Sequence, residues 1–275
     1  MVDWSAGNDT GPTPRKDAIW MGLVRNGMEC EPVYLRNRAV AAEAIERLVL
    51  DERAKGRRLL IGFDFPFSYP AGFARFVTGN DDPLAIWDFY AQHLVDSPLS
   101  NNRFDLAGEL NGRFPGVGPF WFNGTRQDIP NLPRKERSRT LDHGMKERRR
   151  AESRAKGTFT CWQMGGAGAV GGQAMTGMAS LARLRRGVGD IGVWPFTDLS
   201  APVAFVEIWP SLIAEVVAEA GDSIKDRAQV RLLARALSHL SESHLQAMLD
   251  VDAPEEGWIL GLGHEQELRI AACRN

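Results

Sequence analysis

Three carboxylates stand where the surrounding residues are apolar: Asp3 within the opening β-like run, Asp64 near the end of the run 59–65, and Glu207 at the end of Val203-Ala-Phe-Val-Glu207. Two ionised carboxylates held together repel each other and are costly to desolvate, so they need a cation, a shared proton or an arginine. Mg²⁺ or Mn²⁺ meets that need, because hard divalent ions take oxygen ligands and keep positions open for water and phosphate. Asp226, at the start of a helical pattern over 225–239, would close such a site. Two metals about 4 Å apart could then hold the attacking and leaving oxygens of an in-line phosphoryl displacement. The expected catalytic and metal-ligating set is therefore Asp3, Asp64, Glu207 and Asp226. Each acid taken singly has a plainer reading. A strand-end carboxylate also serves as a cap or as half of a salt bridge, and Asp226 suits a helix N-terminus on dipole grounds.

The elements that would position these acids follow from hydrophobic period and turn residues. Residues 1–6, 18–24 and 29–35 read as a three-strand meander, the last two strands turning at Asn26-Gly27. Residues 38–55 carry apolar positions at Ala41, Ala44, Ile45, Leu48 and Val49, the spacing of a helix laid on a sheet. Residues 59–65 are almost wholly apolar, as in a strand buried on both faces. A right-handed crossover sets this fourth strand beside the first, so Asp3 and Asp64 become neighbours about 5 Å apart, with Glu207 one strand further out, about 10 Å from the first. The expectation is an α/β fold with a mixed five-stranded sheet, order 3-2-1-4-5, flanked by helices. After strand four the rhythm lapses: helical patterns at 83–95 and 103–110 lead into an aromatic, glycine-rich stretch and then a charged one. A connection this long suits a lid or cap, so residues 66–157 are expected as a largely helical insertion within one domain, 1–275. Strands at 158–163 and 203–208 and helices at 173–186, 212–220, 225–239 and 265–272 complete the pattern.

Two further features bear on phosphate chemistry. Gly166-Ala-Gly-Ala-Val-Gly171 fits GxGxxG between an expected strand and helix, the setting of a dinucleotide fingerprint, a phosphate-contacting loop or a plain tight turn. Residues 134–156 hold ten Lys or Arg against four acids, a local +6 in a chain of net charge −2, which leaves −8 elsewhere. Such a helix near the acids could grip a phosphate backbone, with Phe120, Trp121 and Phe122 offering stacking surfaces for bases; a solvated charged face is the plainer reading. The three cysteines, Cys30, Cys161 and Cys273, suit neither a disulfide framework nor zinc and read as free thiols. Hydrophobic residues at 44% and charged residues at 25% describe a packed globular chain. No run is long and apolar enough for a membrane span and no leader is legible, so a cytoplasmic protein is expected.

Val2-Asp-Trp-Ser5, Gly62-Phe-Asp-Phe-Pro66, Glu207-Ile-Trp-Pro-Ser211, Lys225-Asp226 and Glu256-Gly-Trp-Ile259 together resemble the motif succession of the DUF429-like family, predicted nucleases of the ribonuclease H-like superfamily. The resemblance runs over most of the chain. It is closest to a long bacterial branch with Phe-Pro-Gly-x-Gly-Pro-Phe-Trp and Trp-Gln-x-x-Gly-x-Gly, here Phe114 to Trp121 and Trp162 to Gly168. It implies the ribonuclease H-like fold and acidic metal ligands matching Asp3, Asp64, Glu207 and Asp226. Arg148 and Glu152 match the family's pattern around the charged segment. The expected substrate-binding set is Ser5, Trp121, Arg148, Glu152, Gly166, Gly168 and Lys225.

The leading expectation is a divalent-metal-dependent nuclease or phosphoesterase acting on nucleic acid or a nucleotide. Two alternatives use the same core. A phosphotransferase of the actin and sugar-kinase type would need a second copy of the core around a nucleotide cleft, and a non-catalytic binding module would need only the fold, which a first strand starting two residues before Asp3 keeps open.

Overall fold

The computed structural model describes residues 1–135, 138–139 and 142–274. Two compact units divide the chain: Met1–Asp64, Val188–Asp252 and Trp258–Asn275 form one, and Phe65–Gly187 with Ala253–Gly257 form the other. The second unit starts where the insertion is expected but reaches Gly187 rather than residue 157.

The first unit opens with β1 (Val2–Asp3), β2 (Ile19–Met21), β3 (Val24–Arg25), β4 (Met28–Glu29), β5 (Val33–Leu35), α1 (Arg38–Ala54) and β6 (Leu59–Phe63). The second unit carries α2 (Phe73–Thr78), α3 (Leu84–His93), α4 (Arg103–Asn111), α5 (Arg150–Arg154) and α6 (Gly171–Val188). The chain then returns to the first with β7 (Ile191–Val193), β8 (Val203–Glu207), a 3-10 turn at Pro210–Ile213, α7 (Ala214–Glu219), α8 (Lys225–Ser238), α9 (Glu242–Leu249) and α10 (Glu265–Ala272).

The main sheet is mixed and has six strands in the order β5-β2-β1-β6-β8-β7. β5, β2 and β1 pair antiparallel, while β1-β6, β6-β8 and β8-β7 are parallel. It exceeds the expected five strands by β7, which precedes β8 in the chain and takes the edge beyond it. Residues 158–163 are not a strand: Gln163 forms one isolated bridge with Trp121. The expected strands 18–24 and 29–35 are each split. Gly22 leaves β2 after exchanging backbone hydrogen bonds with Met1, and a Cβ on Gly22 would lie 2.4 Å from the Val230 carbonyl oxygen of α8. The chain then closes a separate ribbon, β3-β4, across Asn26 and Gly27, whose φ values of 52° and 78° supply the two left-handed residues of a tight hairpin turn.

Strand alternation fixes which side chains share a face. Val2 pairs with Phe63 and Phe63 with Glu207, so Val2, Trp4, Phe63, Phe205 and Glu207 belong to one face. Ring contacts agree: Trp4 and Phe205 lie 6.2 and 5.3 Å from Phe63, both edge-on. The opposite face carries Met1, Asp3, Gly62, Asp64 and Ile208, and a Cβ on Gly62 would meet the Met1 sulfur and Ile208. α8 packs on β1 and β2, which brings its first turn to the Asp3 side of the sheet.

Candidate active site

Asp3 ends β1 and Asp64 directly follows β6. Since Val2 and Phe63 are partners in adjacent parallel strands, the two aspartates are the next pair along the sheet, about 5 Å apart in backbone spacing. Asp64 Oδ1 accepts the Trp4 backbone N–H at 2.6 Å, which ties the carboxyl to β1. Asp226 stands in the first turn of α8, and its Oδ2 accepts the backbone N–H of Asp17 at 2.7 Å. Asp17 occupies the left-handed region at φ 57°, a conformation Asp tolerates better than most residues. Among the described residues none of Asp3, Asp64 and Asp226 forms an ion pair.

The electrostatics follow from that placement. Burial pushes the Asp3 carboxyl well above the ordinary carboxylate range, and the charges of Asp64, Asp226 and Asp17 push it further, against a smaller opposing pull from Lys225. Asp64 is raised to about 7, chiefly by burial; the N–H groups of Trp4 and of Asp64 itself hold it down, while Asp226 drives it up. Asp226 is raised by burial and by Asp17, and lowered by the Asp17 N–H and by Lys225 and Lys16. Asp3 and Asp64 nevertheless keep partial solvent contact, so the group is enclosed without being sealed. Near neutral pH, then, carboxylates from two strands and a helix crowd one region with too little positive charge to ionise fully.

Such a donor set fits a hard divalent cation: all-oxygen, anionic, and partly open to water. Among the described residues no three His, Cys, Asp or Glu side chains are arranged to hold an ion as they stand, so any cation would draw part of its coordination from water or from movement of Asp226.

Glu207 does not join this group. It is buried at 2% exposure and pairs with Phe63, so alternation sets it on the face opposite Asp3 and Asp64. Asp17, which the sequence reading passes over, takes its place beside the acids. Its one sequence signal is an acid placed immediately before the apolar run of β2. Of the expected substrate-side residues in this unit, Ser5 Oγ accepts the Gly7 N–H at 3.1 Å, and Lys225 is exposed next to Asp226.

The remaining expected residues lie in the second unit. Glu152 is buried and accepts both the Arg149 N–H at 3.1 Å and its Nε at 3.0 Å; this makes it the anchor of a buried ion pair rather than a substrate contact. Among the described residues of 134–156, α5 (Arg150–Arg154) is the only α-helix, and positions 136, 137, 140 and 141 fall outside the described residues. Arg149 and Arg139 spend their charge inside, on Glu152 and on Glu147 at 2.7 Å, while Arg148 is exposed and gives one N–H to the Thr158 carbonyl at 2.9 Å. The GxGxxG stretch has no strand before it, which removes the setting of a dinucleotide fingerprint. Its glycines make room for rings: a Cβ on Gly166 would lie 2.9 Å from Phe122, and one on Gly168 2.2 Å from Phe159. Trp121 is partly exposed, whereas Phe120 is fully buried and offers no stacking surface.

No family model, curated protein or solved structure matches this chain.

Proposed function

We propose that this chain is a ribonuclease H-like, DUF429-like hydrolase that cleaves phosphodiester bonds with a divalent metal at Asp3, Asp64 and Asp226. One observation carries the reading: carboxylates from adjacent parallel strands and the first turn of α8 crowd together, raised in pKa by burial and by one another, with no ion-pair partner among the described residues. The β5-β2-β1-β6-β8 succession, antiparallel and then parallel, agrees with that fold family's expected sheet. Asp3, Asp64 and Asp226 would hold Mg²⁺ or Mn²⁺, which would supply charge neutralisation at a phosphoryl group and a water of lowered pKa. Asp64 is oriented by the Trp4 N–H, and Asp226 is oriented by Asp17. Lys225 offsets part of the negative charge felt by Asp3. A phosphotransferase of the actin type would ask for a second copy of the core, and among the described residues the only other sheet is the β3-β4 hairpin.

The test is Mn²⁺-stimulated hydrolysis of bis(p-nitrophenyl) phosphate and of single-stranded oligonucleotides by the full chain. Asp3→Asn and Asp64→Asn are expected to lower turnover by two orders of magnitude or more, and Glu207→Gln by far less if it stays folded. Equal activity in the aspartate variants would remove these acids from the chemistry.

A further inference from the structure

The second unit presents a row of rings and guanidinium groups that the acidic site does not use. The Arg103 guanidinium lies 4.4 Å over the Phe104 ring. Phe104 and Phe122 both approach the loop formed by Gly165 and its neighbours: Cβ atoms on Gly165 and Gly166 would lie 2.8 and 2.9 Å from the Phe122 ring, and Phe104 is 3.5 Å from the first. Across the same loop Phe159 covers Gly168, and Arg148 reaches the adjoining Thr158 carbonyl. These contacts link Arg103, Phe104, Phe122, the glycine loop, Phe159 and Arg148 in succession.

Exposure separates this row from a core cluster. Phe159 is 44% exposed, Phe104 and Phe122 are partly exposed, and residues 166–168 and Arg148 are open to solvent. Phe122 also sits at φ 71°, a region that a bulky side chain seldom occupies and that surrounding contacts must impose. Phe159 packs on Gly168 yet leaves nearly half of its surface in water, and so forgoes part of what burying a phenylalanine contributes.

From this placement we infer that the second unit binds single-stranded nucleic acid, its bases stacking on Phe159 and Phe122 and its phosphates meeting Arg148 and Arg103. Stacking on rings needs unpaired bases, since a duplex hides their faces, and guanidinium groups flanking the rings match a backbone charge between successive bases. This deepens the hydrolase reading by naming its substrate class, yet it is a statement about binding and needs no metal.

The experiment is fluorescence anisotropy of a labelled oligodeoxythymidylate of about 15 nucleotides, a length within the range of single-strand binding sites, titrated with the full chain in EDTA. Binding is expected to weaken as salt rises. Phe159→Ala is expected to weaken it by about fivefold or more, the loss of one stacked base, and Phe159→Trp to retain it. Arg148→Ala is expected to weaken it and to flatten the salt dependence. Phe159 is exposed enough for truncation to leave the fold intact, which circular dichroism verifies. Failure of the wild-type chain to bind, unchanged affinity of Phe159→Ala, or equal affinity for a duplex of the same length would each overturn the inference. Retained binding without Mn²⁺-dependent hydrolysis would sink the hydrolase reading alone, and hydrolysis without oligonucleotide binding would sink this inference alone.

Discussion

Asp64→Asn should stabilise the metal-free protein, and only above acidic pH. The folded state raises this carboxyl from its ordinary 3.8 to about 7, so it binds a proton there more readily than the unfolded chain does. A raised carboxyl pKa means stability falls as pH climbs between those two values. The span is about three pH units, and at 1.36 kcal/mol per unit the ceiling is about 4 kcal/mol. Partial solvent contact reduces this to about 2 kcal/mol. Asparagine is neutral throughout, and its Oδ1 can still accept the Trp4 N–H. Each kcal/mol moves the midpoint by about 2 °C in a chain of this size. Thermal unfolding in EDTA should therefore place Asp64→Asn about 4 °C above wild type at pH 8 and level with it at pH 4. A variant less stable at pH 8, or a difference that ignores pH, would refute the assignment of strain to a crowded carboxylate.

Three other outcomes follow from the same contacts. Asp226→Asn should lower the titration midpoint of Asp64, because the Asp226 charge helps to raise it; carboxyl carbon chemical shifts against pH would report the change. Gly177→Ala should destabilise by about 1 to 3 kcal/mol despite the better helix propensity of alanine, since its Cβ would come within 2.2 Å of the Phe65 ring; chemical unfolding measures the sign. Arg149→Ala should cost about 3 to 5 kcal/mol by leaving Glu152 charged and buried without its partner, and a loss below 1 kcal/mol in urea unfolding would contradict that role.

Periodicity alone makes much of the scaffold legible. The apolar spacing of α1, α8 and α10 and the unbroken runs of β6 and β8 each name an element whose buried face has a single solution, and Asn37 caps α1 by accepting the Val40 N–H at 3.0 Å. The neighbouring placement of Asp3 and Asp64 follows from the crossover alone. What could not be read depends on register or on distant partners. Glu207 lies beside Phe63 rather than Asp64, and that single step along β8 decides its face. Asp17 and Asp226 are 209 positions apart in sequence, and no local pattern predicts their contact. Residues 158–163 have strand-like composition, yet Thr160 gives its hydroxyl to the Glu147 carbonyl and Trp162 its indole N–H to Lys146, side-chain bonds that hold the segment without a ladder. Counting charge over 134–156 likewise could not show that Arg139 and Arg149 are paired inside.

Anomalous scattering from a crystal soaked in Mn²⁺ addresses the acidic group most directly. A peak within about 2.2 Å of carboxylate oxygens from both Asp3 and Asp64, lost in Asp64→Asn, is the expected result. Manganese bound only elsewhere, or none at this face of the sheet, would contradict the metal-dependent reading.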